Sequence, residues 1–248
     1  RLLMILSFIA GSIIGSFLNV VIFRTPQNLS IISPRSHCPK CKSFIPFYYN
    51  IPIVSFIFLG GKCKQCNEKI SWQYISVEII TGILFVFSFS KFSLSEAILL
   101  NVVFCCLIII SYIDFHYLLI PSIYLYLLIF LLIPYTYITT QSPYQTILGA
   151  VAITTYLAIC TLIVGIIKRD INILGFGDIL LIIFIGGWLG IIHSFISLFL
   201  AAIIGILYII INNHLIKNET IKIPFGTCLS ISFTIITILK EYTKLLTF

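Results

Sequence analysis

Charge is what this chain has least of. Only 9% of its 248 residues are Asp, Glu, Lys or Arg, while 60% are hydrophobic; soluble domains carry about 25% charged residues. A soluble fold of this length would need far more polar surface to cover itself, so that class is excluded. Acids are scarcer still, eight in all. Internal repeats, low-complexity tracts and a glycine-rich phosphate-binding fingerprint are also missing, which argues against a solenoid, a disordered linker and a nucleotide fold.

In their place stand long apolar runs, several reaching the roughly 20 residues that cross a bilayer as a helix. We expect spans near 2–23, 72–90, 96–113, 119–137, 146–167, 179–191, 194–213 and 226–246. This predicts an all-α polytopic membrane protein of about eight transmembrane helices. Residues 2–23 lack a small-residue cleavage site and merge directly into the domain, so we expect a span rather than a signal peptide. With alternating sides, Arg24, Arg35, Lys40, Lys42, Lys62, Lys64, Lys69, Lys168, Arg169, Lys217 and Lys222 share one face. Arg1, Lys91, Lys240 and Lys244 fall on the other. That excess marks the first side as cytoplasmic. Topology and anionic membrane lipids account for the net charge of +7 without any nucleic acid.

Residues 24–71 form the one sizeable insertion, and they hold Cys38-Pro39-Lys40-Cys41 and Cys63-Lys64-Gln65-Cys66. Each Cys-x-x-Cys bends two sulfurs toward one point, and two such knuckles complete a tetrahedron suited to zinc. A pair of disulfides or a redox motif is the competing reading. A cytoplasmic loop, where structural disulfides are rare, favours the metal. The metal also explains how so short an insertion folds without a core. Cys105, Cys106, Cys160 and Cys228 sit in apolar spans and are expected to be small core residues. Between the knuckles, a short apolar run around 51–59 suits the membrane interface rather than a crossing.

Three acids stand out. Asp178, in Gly175-Phe176-Gly177-Asp178, lies at the lip of an apolar run, where it either caps the following helix or does chemistry. Asp114, at the end of another run, is 64 positions away. In a helical bundle the two can meet, share a proton and activate a water. Glu78 sits one turn inside a span, so it either pairs with a Lys or Arg or contacts a cationic substrate group. Asn19 needs a partner within the first span, and an interhelical hydrogen bond would supply one. Lys222 would face either an active centre or headgroups. Gly175, Gly177, Glu78 and Lys222 are carried forward as candidate substrate-contacting positions.

Taken in order, several motifs resemble those of the bifunctional type IV prepilin leader peptidases, nearly end to end. They are Gly15-Ser16-Phe17-Leu18-Asn19-Val20-Val21 with Arg24 and Pro26; Cys38-Pro39 through Asn50-Ile51-Pro52 to Cys63, Cys66 and Glu78; Asp114 before Ile120-Pro121; Gly175-Phe176-Gly177-Asp178; and Lys222-Ile223-Pro224-Phe225-Gly226. The resemblance implies cleavage of type IV prepilins and pseudopilins after a glycine, at the cytoplasmic face of the inner membrane, for pili or type II secretion. It implies N-methylation of the new first residue from S-adenosylmethionine. It places the catalytic aspartates at Asp114 and Asp178 and the zinc ligands at Cys38, Cys41, Cys63 and Cys66. It divides the chain into a first transmembrane helix at 1–23, a cytoplasmic zinc loop at 24–71 and a peptidase core at 72–248. Four positions depart from the family pattern: Leu180 stands for Lys, Ser122 for Asp or Asn, Tyr49 for Asp, and Thr227 for Pro. The rival readings are a non-catalytic zinc-stapled scaffold and an ion transporter, the latter predicting inverted halves that the sequence does not display.

Overall fold

The computed structural model describes residues 1–139, 141–169, 174–216 and 222–246. Lys217, one of the basic residues expected on the cytoplasmic side, lies outside the described residues. Among the described residues eight helices coincide with the eight expected spans: α1 (Leu2–Arg24), α3 (Trp72–Lys91), α4 (Leu94–Tyr117), α5 (Ser122–Ile138), α6 (Pro143–Lys168), α7 (Phe176–Leu189), α8 (Ile191–Ile216) and α9 (Phe225–Leu246). A short α2 (Val54–Phe58) lies between the knuckles, with Phe58 exposed. Among the described residues five helices are long and apolar enough to cross a membrane, and α5 and α7 are apolar but shorter. With its many outward-facing Leu, Ile and Phe side chains, this is a multi-pass membrane protein.

Two boundaries differ from expectation in ways that matter. α4 runs one turn past its apolar stretch, so Asp114 lies inside a helix and not after it. α7 begins earlier than expected and stops at Gly190, whose φ of 76° belongs to the left-handed region that glycine tolerates. Asp178 therefore sits in the first turn of α7.

The chain forms two compact units, residues 1–109 and 110–248. Between helices in lipid there is little hydrophobic drive, so small residues that let backbones approach carry the packing. In the first unit α1 lies against α3. A Cβ on Gly11 would come 2.8 Å from the Thr81 carbonyl oxygen, and one on Gly15 would come 2.8 Å from the Glu78 Cα. The Ser88 hydroxyl donates to Asn101 Oδ1 at 2.6 Å, tying α3 to α4. After α1, the buried Arg24 guanidinium donates to the carbonyls of Ser30 and Pro34 at 2.7 and 2.6 Å and curls the chain toward the insertion.

In the second unit α7 is central, packing against α5, α6, α8 and α9. The Tyr135 ring stacks on Trp188 at 3.9 Å, and its hydroxyl donates to the Trp188 carbonyl. Phe184 and Phe233 pack with ring centres 5.3 Å apart. The Ser197 and Ser232 hydroxyls bond across α8 and α9 at 3.0 Å. The closest crossing is α6 on α7, where a Cβ on Gly149 would lie 2.3 Å from the Gly186 carbonyl oxygen. Gly149→Ala or Gly186→Ala forces these backbones apart, and we expect a loss of about 1–3 kcal/mol. Denaturant or thermal unfolding in detergent checks this; unchanged midpoints for both variants would contradict the crossing.

Candidate active site and metal centre

Asp114 is 5% exposed and points at the start of α9. The first N–H groups of a helix have no partner within it, and its N-terminal end carries partial positive charge. Thr227 N–H donates to Asp114 Oδ2 at 2.8 Å, and the Gly226 backbone also donates to this carboxylate. The Thr227 hydroxyl lies 3.1 Å from the same Oδ2 and 2.8 Å from the Ser111 carbonyl, so its single hydrogen can turn to either.

Asp178 occupies the equivalent place on α7. The helix is capped by Gly175, which has no side chain to offer, so Asp178 is not its N-cap. Its carboxylate instead reaches back to the Gly175 backbone, the return arm of a capping box. A Cβ on Gly175 would come 3.1 Å from Asp178 Oδ2 and crowd that carboxylate.

Ile120 joins the two helix ends. A Cβ on Gly177 would lie 2.9 Å from Ile120 Cβ, and one on Gly226 would lie 2.6 Å from Ile120 Cδ1 and 3.2 Å from Asp114 Oδ2. Both glycines are thus needed for close approach to one aliphatic side chain. The approach puts the start of α9, which Asp114 bonds, and the first turn of α7, which carries Asp178, against the same side chain. Lys222 is exposed on the segment leading into α9.

Glu78 belongs to the other unit. It is 7% exposed, its Oε2 accepts from Ile53 N–H at 2.7 Å, and its carboxylate also bonds the Ser16 hydroxyl. Among the described residues no Lys or Arg forms an ion pair with it.

The four cysteines of the insertion form a group whose sulfurs all lie within 4.8 Å of one another. Cys38 and Cys66 are 3.8 Å apart, and Cys41 and Cys63 are 4.0 Å apart. A tetrahedron with zinc–sulfur bonds of about 2.3 Å has edges of about 3.8 Å, so the donor set fits such an ion. Each knuckle is built alike. Cys38 N–H donates to Ser43 O and Lys42 N–H to Cys38 O; Cys63 N–H donates to Glu68 O and Asn67 N–H to Cys63 O. Lys42 and Asn67 both take positive φ. The Ser43 hydroxyl, 2.9 Å from Cys41 Sγ, lowers that thiol to about 6 and so favours the thiolate a metal binds. His37 stays outside the group, its Nδ1 3.1 Å from the Arg35 carbonyl. Tyr49 ties the segment between the knuckles to the second of them through a hydrogen bond from Lys64.

Thr227 and Ile120 escaped the sequence reading as site residues. The signal was present for Thr227, since proline at that position would leave no N–H to give Asp114. Ile120 carried none, because an isoleucine before a proline looks like any turn residue.

The fold and its polar groups define a multi-pass helical membrane protein with two acids beside neighbouring helix starts and a four-cysteine cluster able to hold a metal ion. The Bacterial Peptidase A24 N-terminal domain family matches residues 9–92, and the Type IV leader peptidase family matches residues 101–210. A prepilin leader peptidase/N-methyltransferase of Bacillus subtilis is 36% identical, covering 90% of this chain and 89% of that protein. A type 4 prepilin-like proteins leader peptide-processing enzyme of Escherichia coli is 32% identical, over 92% and 90%. A prepilin leader peptidase/N-methyltransferase of Vibrio cholerae is 32% identical, over 94% and 95%. No solved structure matches the chain. The chain belongs to the type IV leader peptidase family.

For the thiol cluster, Cys41→Ser or Cys63→Ser in the full-length protein should lose about one equivalent of bound metal by elemental analysis and make residues 24–71 protease-sensitive. Retained metal in both variants would rule out the four-thiolate centre.

Proposed function

We propose that this chain removes the leader peptide of type IV prepilins and pseudopilins after a glycine, with Asp114 and Asp178 as its catalytic pair. It then methylates the newly exposed N-terminal amine with S-adenosylmethionine as donor. The observation that supports the peptidase reading is the approach of the α7 and α9 starts to Ile120, with Asp178 in the first turn of one and Asp114 bonded to the other. Structural acids would be expected to meet cations, and among the described residues neither of these forms an ion pair.

The donors divide the roles. Asp114 takes backbone N–H groups from Gly226 and Thr227, so it is the ionised member and the base that draws a proton from the attacking water. Asp178 has one backbone partner and the charge of Asp114 beside it, so it holds the shared proton and polarises the scissile carbonyl. As the tetrahedral carbon collapses, the proton gained by Asp114 passes to the departing amine. The substrate's apolar helix docks among the spans and presents its glycine junction at the ends of α7 and α9.

In this reading residues 1–23 anchor the chain and 24–71 form the cytoplasmic loop that Cys38, Cys41, Cys63 and Cys66 hold around structural zinc. Residues 72–248 contain the peptidase core, with its site on the cytoplasmic side of the bacterial inner membrane. Gly175, Gly177 and Lys222 line the approach to the pair. The positive charge around the loop meets anionic lipid headgroups.

Purified protein incubated with a prepilin, and followed by mass spectrometry of the pilin N-terminus, tests this directly. Asp114→Asn and Asp178→Asn should each reduce cleavage at least 100-fold while metal content stays at one per chain. Cleavage above a tenth of the parent rate in either variant removes the dyad. Thr227→Val, which keeps the N–H and loses the hydroxyl, should cost about tenfold in kcat, the equivalent of one hydrogen bond to a charged group.

A further inference from the structure

A second polar centre lies in the 1–109 unit, and the peptidase chemistry has no use for it. The α1–α3 crossing is unusually close at Gly15, whose missing Cβ would fall 2.8 Å from the Glu78 Cα. That contact lays Ser16 and Asn19, three residues apart on one face of α1, over the Tyr74–Glu78 turn of α3. The Asn19 Nδ2 donates to the carbonyls of Gly15 and Tyr74 at 3.3 and 3.0 Å, and these two bonds fix which way the amide faces. The Tyr74 carbonyl is the acceptor one turn before Glu78, so the amide lies beside the Glu78 backbone.

Its other end is unsatisfied. Asn19 is 2% exposed, and its Oδ1 is buried with no hydrogen-bond donor. Glu78, 7% exposed, has two neutral donors and no cation within reach among the described residues. One of those donors, Ile53 N–H, comes from a turn with φ 62° and ψ −51°, closed by Val54 N–H to the Pro52 carbonyl. This is the strained form of the three-residue turn and is rare for a β-branched residue. It aims an N–H at Oε2, and the Ser16 hydroxyl is the carboxylate's other neutral donor. The site as built offers acceptors, one of them negatively charged, and it lacks a cationic donor.

We infer that Glu78 and Asn19 form a binding site for a primary ammonium group, the free α-ammonium of the cleaved substrate chain. Three N–H donors on one small cation suit a carboxylate and a buried amide oxygen on facing turns of α1 and α3, neither of which has a cationic partner among the described residues. A sulfonium carries positive charge but no hydrogen to donate, so it would leave Asn19 unsatisfied. Depth agrees as well. Glu78 lies six residues into α3, about 9 Å along the helix from Trp72. A chain whose first residue is followed at once by an apolar segment places its amine at such a level. The assignment rests on the methylation reading above, since it supplies the site that holds the amine to be methylated.

The test compares binding of two peptides to the full-length protein in nanodiscs. Both carry the mature pilin N-terminal sequence, one with a free amine and one N-acetylated. The parent protein should prefer the free amine at least tenfold. Glu78→Gln, nearly the same size but uncharged, should erase that preference, whereas Glu78→Asp should keep part of it. The KM of methyl transfer for the peptide should rise with Glu78→Gln while the KM for S-adenosylmethionine holds. No preference in the parent, a full preference in Glu78→Gln, or a shift confined to the S-adenosylmethionine KM overturns the assignment. Prepilin cleavage by the same preparation is scored separately, so a failed peptidase reading leaves the binding comparison standing.

Discussion

Two backbones with no side chain of their own press on one isoleucine, and the polar chemistry of the second unit follows from that contact. Gly177 and Gly226 open α7 and α9, and each lies against Ile120 at a distance no Cβ allows. Because the contact falls at helix starts, it gathers unpaired N–H groups as well as chain. Asp114 answers those of α9, and Asp178 folds back on those of α7. A carboxylate in an apolar bundle is costly, and here the buried Asp114 and the half-buried Asp178 are each held by donors that a neighbouring helix, or its own, has left over.

The packing that sustains this contact is of one kind. Gly149 against Gly186, and Gly11, Gly15 and Gly82 between α1 and α3, replace the hydrophobic drive that lipid surroundings remove. Such crossings are intolerant of added volume, which makes them good rulers. The position of Asp178 is set partly by Gly186, two turns further along the same helix, where α7 meets α6. The buried Ser194, Ser197 and Ser232 hydroxyls on α8 and α9 bond to one another or to carbonyls of their own helices.

Much of this was legible in the sequence. Composition and run length located all eight long helices, because in lipid a helix must satisfy its own backbone and the apolar stretch is the helix. The four cysteines announced themselves by spacing, since the geometry of a knuckle is local. What stayed hidden depends on contacts between distant segments. The apolar pattern stops short of the last turn of α4, which is held by Asp114 reaching α9. Thr227 looked like a departure from a family pattern, yet it supplies two of the groups around Asp114. Asn19 was expected to find a partner across helices, and its amide nitrogen does. That its oxygen finds none could be known only from the full set of neighbours. Nor could Ile53 have been suspected of a left-handed turn, because nothing in Ile-Pro-Ile-Val asks for one.

The paired construction of the cysteine knuckles bears on how the insertion would acquire the metal ion its four sulfurs could hold. Each half is closed by its own two main-chain hydrogen bonds and its own left-handed residue, so a pair of sulfurs is oriented before the opposite pair arrives. Capture would then resemble a clasp more than a fourfold search: one half would seize the ion and a single loop would close to deliver the other. With 21 residues between Cys41 and Cys63, that closure costs on the order of 3 kcal/mol of chain entropy. This is small beside the 10 or more kcal/mol that such ions typically return. The insertion therefore behaves as a latch that needs no hydrophobic core and sets within the few dozen residues between the first two spans.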